Sequence, residues 1–179
     1  QQVFSYKVDC ILVAAMNPCP CGYYNDPHHP CTCRPGQVQR YMSRISGPLL
    51  DRIDLQVEVV PVSVRELSSA PAGESSAAIR ARVISARRRQ AARFADCPGV
   101  HCNAQMAARH IKAFVHLDKS AHTALEQALE RLGLSARAYE RVLKVSLTLA
   151  DLDGVDQITR AHIAEAISYR NLDRASWGE

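Results

Sequence analysis

No apolar run in this chain is long enough to cross a membrane, which excludes a membrane-spanning protein by sequence. The first residues also lack the basic, apolar and small-residue succession of a signal peptide. There is no internal repeat, and no low-complexity tract apart from a cluster of arginines. We therefore expect a cytoplasmic protein with no membrane partner.

The composition is that of a folded protein. With 179 residues and 47% hydrophobic residues, the chain can bury a core as one ordinary domain or two small ones. Its formal net charge of +4 permits nucleic acid as a partner without arguing for it. Seven cysteines are an odd number, and cytosolic cysteines bind metal more often than they form disulfides.

Two segments have the pattern of β-strands. Residues 8–16 are almost continuously apolar, and in residues 54–62 Leu55, Val57 and Val59 alternate with polar residues. A buried strand needs neighbouring strands, so we expect the chain to be the back portion of a longer protein. The predicted fold class is α/β followed by an all-α part.

Composition divides the chain into four parts. Residues 1–64 form the α/β part and include a cysteine-rich loop at 18–36, residues 65–74 form a linker, residues 75–170 are helical, and residues 171–179 form a tail. The first long helix is predicted over 75–94, with Ser75 or Ser76 as its cap and with Ile79, Val83 and Ala86 facing the core. Three further helices are predicted to begin at the capping residues Asp118, Ser135 and Thr159.

Four cysteines cluster in the loop that follows the first apolar run: Cys19, Cys21, Cys31 and Cys33. Four thiolates satisfy a tetrahedral Zn²⁺ and leave no open position, so such a site would be structural. The Cys-x-Cys spacing is tighter than usual, and a metal-free loop of reduced thiols is the alternative. His28 or His29 could replace one cysteine, although histidines in such turns commonly face water.

A second group, Cys97, His101 and Cys102, is weaker, and we interpret it as non-metallic.

Two polar residues in the first part of the chain could act on a ligand. Asn17 ends the first predicted strand, at the sheet edge where ligands bind, although Asn-Pro is also an ordinary turn. Arg52 lies between Asp51 and Asp54 in an apolar stretch. It either forms a surface salt bridge that contributes little to stability or presents its planar fork of donors to a phosphate.

Arg137 occupies the first turn of a predicted helix. A cation there meets the positive end of the helix dipole, and a nearby anion would reverse that penalty. The helix N-terminus and the arginine together could bind phosphate, or the side chain could simply be solvated.

The helix predicted over 75–94 carries six arginines and no acid after Glu74. Such charges are often only solvated, but the imbalance suits a phosphate-rich polymer. The candidate nucleic-acid contacts are Arg80, Arg87, Arg88 and Arg89.

Several strings then occur in a fixed order. They are Leu-Val-Ala-Ala-Met-Asn-Pro-Cys-Pro-Cys-Gly at 12–22, the second cysteine pair, Arg-Ile-Ser-Gly-Pro-Leu-Leu-Asp-Arg-Ile-Asp-Leu at 44–55, Gly-Glu-Ser-Ser at 73–76 and Leu-Ser-Ala-Arg-Ala-Tyr at 134–139. This succession closely resembles the competence-associated, magnesium-chelatase-like AAA+ ATPases of the ComM/YifB type, over nearly the whole chain.

The resemblance implies the last strands of an AAA+ nucleotide-binding domain followed by a helical lid. Asn17 matches sensor 1, which orients the attacking water. Arg52 matches the arginine finger, which acts in trans on a neighbouring subunit's γ-phosphate. Arg137 matches sensor 2, which contacts the nucleotide phosphate. Arg44 is a less favoured candidate for the finger.

The resemblance further implies ATP with Mg²⁺ as ligand, a homo-hexameric ring, and DNA helicase or branch-migration activity that supports recombination in natural transformation. The chain departs from the family in having no Gly-x-x-x-x-Gly-Lys-Ser/Thr motif and no Walker B strand. We therefore expect it to be inactive alone. The alternatives are a zinc-bearing DNA-binding module without catalysis, and a chelatase-like or protein-remodelling ATPase.

Overall fold

The structure is a computed structural model that describes residue 4, residues 10–62, residue 68, and residues 73–133 and 135–170. Most of the predicted linker at 65–74 and all of the predicted tail at 171–179 lie outside these residues. Internal contacts divide the chain into a first unit that ends at Arg44 and a second unit that begins at Ile45.

The described residues of the first unit comprise the cysteine loop and one short helix, α1, at Gln37–Met42. Gly36 precedes the helix with φ 74°, a left-handed conformation that glycine adopts without strain.

The second unit is helical. Where the structure gives the full bounds of its elements, these are α2 (Gly47–Leu50), α3 (Ser76–Arg93), a 3₁₀ turn (Asn103–Gln105), α4 (Ala108–Phe114), α5 (Lys119–Leu132), α6 (Ala136–Asp153) and α7 (Arg160–Ser168).

Three predicted helix starts are confirmed by capping hydrogen bonds. The Ser75, Asp118 and Ser135 side chains accept from backbone N–H groups three residues ahead, at 3.3, 2.6 and 3.2 Å respectively. Each bond satisfies one of the N–H groups that a helix start leaves unpaired. Helix α5 ends at Gly133, whose φ of 59° is the left-handed C-cap conformation.

Helix α6 is the centre of the second unit. It contacts α3, α4, α7 and the 3₁₀ turn, while α5 packs on α7. The core side chains of α6 are Val142, Leu143, Leu147 and Ala150. Phe94, Met106, Leu125, Ile158 and Ile163 come to the same core from the other elements.

The predicted α/β architecture is wrong for the described residues, which contain helices and one isolated bridge between Leu117 and Ile158 but no strand or sheet. The described part of the run at 8–16 lies outside any helix or strand and is exposed, with Ile11 91% and Val13 87% accessible. In residues 54–62, Val59 is 85% accessible. A strand exists only through pairing with another strand, and neither run pairs with one in the described residues. Their apolar patterns therefore did not produce a sheet.

The predicted buried face of α3 is only partly correct. Ala86 is buried, but Ile79 and Val83 are exposed, as are all of residues 76–85. Only the C-terminal half of α3 packs on the core, so periodicity along the whole helix overestimated its buried length.

A buried carboxylate joins three elements of the second unit. Asp151 on α6 is fully buried, and its carboxylate accepts hydrogen bonds from both terminal nitrogens of Arg93 on α3. The distance from Arg93 Nη1 to Asp151 Oδ2 is 2.7 Å. The Asn103 amide in the 3₁₀ turn donates to Asp151 at 2.9 Å and to Thr148 at 3.0 Å. Arg89 Nε lies 3.6 Å from the same carboxylate.

These partners decide the charge state of Asp151. Burial by itself raises the pKa of the carboxyl group, but hydrogen bonds from Arg93 and Asn103 and the charge of Arg93 outweigh it. The pKa of Asp151 is therefore held below its ordinary value. The group stays ionised and paired inside the protein.

Within the described residues, no helix has both the length and the apolar character needed to span a bilayer.

We predict that Asp151→Asn destabilises the chain by roughly 3–5 kcal/mol at neutral pH, because it leaves the Arg93 guanidinium uncompensated. Since the pKa of Asp151 is lowered in the folded state, its contribution is complete above the ordinary aspartate pKa and is lost as the pH falls through the lowered value. Urea unfolding at several pH values should therefore show the variant and the wild type converging in acid.

Asp156→Asn is the matched control, because Asp156 pairs with Arg89 while 97% of its side chain is exposed. This substitution should lower the free energy of unfolding by less than about 1 kcal/mol. An equal loss of unfolding free energy in Asp151→Asn and Asp156→Asn would show that the buried network is no more important for stability than the exposed pair.

Candidate functional site

The four predicted cysteine ligands converge in the first unit. Their Sγ atoms all lie within 4.8 Å of one another, and Cys19 is fully buried while the other three are half-buried. Sγ of Cys19 is 3.2 Å from that of Cys21 and 3.8 Å from that of Cys31. A tetrahedral Zn²⁺ with Zn–S bonds of about 2.3 Å holds its sulfurs about 3.8 Å apart, so the spacing and the donor chemistry fit zinc.

Tight turns bring the two pairs together. Gly22 N–H donates to the Cys19 carbonyl at 3.1 Å, and Gly22 has φ 88°. The Asp26 carboxylate accepts from the backbone N–H groups of His28 and His29 at 2.7 and 2.9 Å. Both histidine side chains are exposed and lie outside the sulfur cluster, so the possible replacement of a cysteine by histidine is not observed.

The sulfur environment separates the thiols by acidity. A hydrogen bond from the Tyr23 backbone, with further bonds from Cys19 and the Thr32 backbone, lowers the pKa of Cys21 to about 5. Burial and competition from the other thiols raise the pKa of Cys33 to about 12. The lowered pKa makes Cys21 a ready thiolate ligand, whereas a bound cation would have to displace the protons of Cys31 and Cys33, whose pKa values are raised.

Asn17 lies two residues before this cluster, in the first unit. It is exposed and outside any helix or strand. The strand end on which its selection rested is not formed in the described residues.

Arg52 lies in the second unit, just after α2. Its side chain is exposed, and Nη1 donates to the Pro48 carbonyl at 2.8 Å. The flanking acids pair elsewhere: Asp54 with Arg141, and Asp51 with Ser135 at 3.4 Å and Arg170 at 3.9 Å. The alternative in which Arg52 forms a surface salt bridge with these acids is therefore not the arrangement in the structure.

Arg137 is the second residue of α6, and it is exposed. The Ser135 hydroxyl caps one N–H group of that helix. The first turn contains no acidic residue, so the dipole mismatch predicted from the sequence is present in the structure.

The candidate nucleic-acid arginines on α3 fall into two groups. Arg80, Arg87 and Arg88 are exposed, and offsets of seven and eight residues place them on neighbouring parts of one helix face. Arg89 is half-buried and pairs with Asp156 and Asp151. Its charge is therefore used within the protein.

Sequence reasoning missed the ion-pair partners Arg93, Arg141, Arg170 and Asp151. A signal existed only for Asp151, an acid four residues after the core position Leu147 in an apolar stretch of α6. The arginines looked like ordinary surface charges, because their partners are distant in sequence.

Family models match nearly all of this chain. The model described as magnesium chelatase, subunit ChlI C-terminal, matches residues 73–170, and the model described as magnesium chelatase, subunit ChlI, matches residues 1–67.

Curated relatives are similar over almost the same range. The uncharacterized protein YifB of Escherichia coli is 46% identical over 172 residues, which cover 95% of this chain and 32% of YifB. The competence protein ComM of Haemophilus influenzae is 43% identical over 164 residues, 91% of this chain and 31% of ComM. An uncharacterized protein of Mycobacterium tuberculosis is 37% identical over 168 residues, 94% of this chain and 33% of that relative.

The chain spans about a third of the length of the curated relatives it matches. Because the ChlI C-terminal model covers more than half of the chain and the relatives agree with it, this protein belongs to the magnesium-chelatase-like family of ComM and YifB.

Proposed function

We propose that this chain is the phosphate-sensing part of a longer ATP-dependent DNA motor, of helicase or branch-migration type, which supports recombination in natural transformation. The family membership and the competence name of the Haemophilus relative support this proposal. The observation that carries it is the state of Arg52, whose guanidinium is exposed while both flanking acids are paired with other residues.

In this proposal Arg52 acts in trans. Its guanidinium would approach the γ-phosphate bound by a neighbouring copy in a homo-hexameric ring and stabilise the charge that develops as water attacks the γ-phosphorus and ADP leaves. Two parallel N–H donors on a planar group match two phosphoryl oxygens. An arginine already neutralised by an adjacent carboxylate would be poorly suited to this role.

Arg137 and Asn17 are each proposed to act on the nucleotide in the longer protein. Arg137 stands in the first turn of α6 beside N–H groups that favour anions, and a phosphate there would relieve the unfavourable dipole contact. Asn17 has an exposed amide that could hold the attacking water. The ligand in this proposal is ATP with Mg²⁺.

The exposed face of α3 is the proposed DNA contact. Arg80, Arg87 and Arg88 are exposed, and no acid lies between Glu74 and Asp96 to neutralise them. The ion pairs of Arg89 exclude it from this surface, so the proposal is limited to the other three arginines. Such a surface would bind phosphate backbones without reading sequence.

The cysteine cluster is proposed as a structural zinc site. The donor set and the sulfur spacing fit a closed four-thiolate centre, in which zinc would hold the loop and take no part in hydrolysis.

Arg52→Ala in the longer protein should lower the rate of ATP hydrolysis by about 10³–10⁵-fold while ATP binding survives. The measurement is steady-state hydrolysis together with equilibrium binding of a fluorescent nucleotide. Arg131→Ala, which removes another exposed arginine on α5 outside the proposed nucleotide site, is the control and should stay near the wild-type rate. Normal hydrolysis in Arg52→Ala would remove the finger assignment.

Reversing three charges, Arg80→Glu, Arg87→Glu and Arg88→Glu, should weaken DNA binding and reduce the slope of log K against log salt by about 1 per lost phosphate contact. Fluorescence anisotropy with a labelled single strand at several salt concentrations measures both quantities. Arg131→Glu on α5 is the control, because it reverses one exposed charge elsewhere. An unchanged slope in the triple variant would place the DNA contact on another surface.

Metal analysis of the purified protein should find about one zinc per chain. Cys19→Ser and Cys33→Ser should lose it, since each removes one of four ligands. Cys97→Ser changes a half-buried cysteine outside the cluster and should retain the metal. Wild-type protein purified without metal would sink the zinc proposal.

A further inference from the structure

The segment that carries Arg52 is joined to the C-terminal helices of the same unit. The contacts come from residues on both sides of Arg52. Three are hydrogen bonds: from Ser135 Oγ to Asp51, from Arg170 to the Ile53 carbonyl, and from the Gln56 N–H to the Tyr169 carbonyl. Two are ion pairs: Arg170 with Asp51, and Arg141 with Asp54. These partners are more than 80 residues away in sequence, and the contacts leave the Arg52 guanidinium exposed.

Arg170 is the most deeply buried member of this group. Only 1% of its side chain is exposed; Nη1 donates to the Ile53 carbonyl at 2.9 Å, and Nη2 lies 3.9 Å from the Asp51 carboxylate. Burying a guanidinium is costly unless it is paired and hydrogen-bonded. Its partners here are the two residues directly before and after Arg52.

The other contacts lead to α6. Ser135 is the N-cap of that helix and also donates to Asp51. Arg141, one turn beyond Arg137, pairs with Asp54. The segment of Arg52 and the first turns of the helix that carries Arg137 are therefore connected by direct side-chain bonds.

We propose that Arg170 and Arg141 are positioning residues that hold Arg52 and couple it to the helix of Arg137. This inference rests on the proposed function of Arg52 in ATP hydrolysis. Catalysis of phosphoryl transfer depends on the placement of charge, so a finger that is free to move stabilises the transition state less. A displacement of α6 at Arg137 would be passed to Arg52 through Ser135 and Arg141.

The test uses the exposed pair, because loss of the buried Arg170 could unfold the protein. In the longer protein, Arg141→Glu and Asp54→Lys should each lower kcat for ATP hydrolysis by roughly 10- to 100-fold, with KM close to the wild-type value. The double variant restores an opposite-charge pair in reverse order and should recover most of kcat. A side chain that only stabilises the fold would not give this pattern of kcat loss and rescue at equal melting temperature.

Glu126→Lys on α5 is the matched control. It reverses the acid of the exposed pair His122–Glu126, far in sequence from Arg52, and should leave kcat unchanged.

The outcomes separate this inference from the proposed function. If both single variants keep full kcat while Arg52→Ala abolishes hydrolysis, the positioning role is wrong and the finger stands. Failure of the double variant to recover kcat also overturns the positioning role. If Arg52→Ala hydrolyses ATP normally, the proposed function fails, and the positioning role fails with it.

Discussion

The second unit depends on one buried charge. Asp151 holds Arg93 from α3 and Asn103 from the 3₁₀ turn while it is part of α6, the central helix of the core. A carboxylate at that depth is tolerated only because both of its oxygens accept hydrogen bonds from protein donors. The hydrophobic side chains supply most of the driving force for folding, and this charge selects one way of joining the three elements.

The same interaction explains why some arginines of α3 are paired within the protein while others are exposed. Arg89 and Arg93 lie on the side that faces Asp151, and their charges are neutralised inside the unit. Arg80, Arg87 and Arg88 lie around the helix from them and remain exposed. One arginine-rich helix thus has a structural side and a side that is available to a polyanion.

The first unit is organised by different means. Among its described residues only Cys19 and Met42 are buried, which is too little apolar burial to hold a loop of this length. Its most compact feature is the cluster of the four cysteine Sγ atoms. In the proposed zinc site, a bound cation would supply the order that packing does not supply.

The sequence was a reliable guide where the determining interaction is local. The caps at Ser75, Asp118 and Ser135 depend on atoms three residues apart, and they are present as predicted. The cysteine cluster was also predictable, because two short spacings and one loop bring its members together.

Long-range features could not be read in the same way. The predicted strands required partners that the pattern of one strand does not reveal, and those runs are exposed. Arg170 looked like a residue of a terminal helix, yet its side chain contacts Ile53, more than 100 residues earlier. The candidate nucleotide-site residues Asn17, Arg52 and Arg137 were predicted from local sequence motifs. The ion pairs that surround Arg52 are visible only in the folded structure.

Helix α3 is attached at one end. Ala86 is its first buried residue, and the ten residues from Ser76 to Ser85 extend into solvent, a projection of about 15 Å at the usual helical rise. Side chains on that projection contribute little to the core, so their identity is nearly free of folding constraints. Residues of this arm could therefore change among relatives while the folded body stays the same.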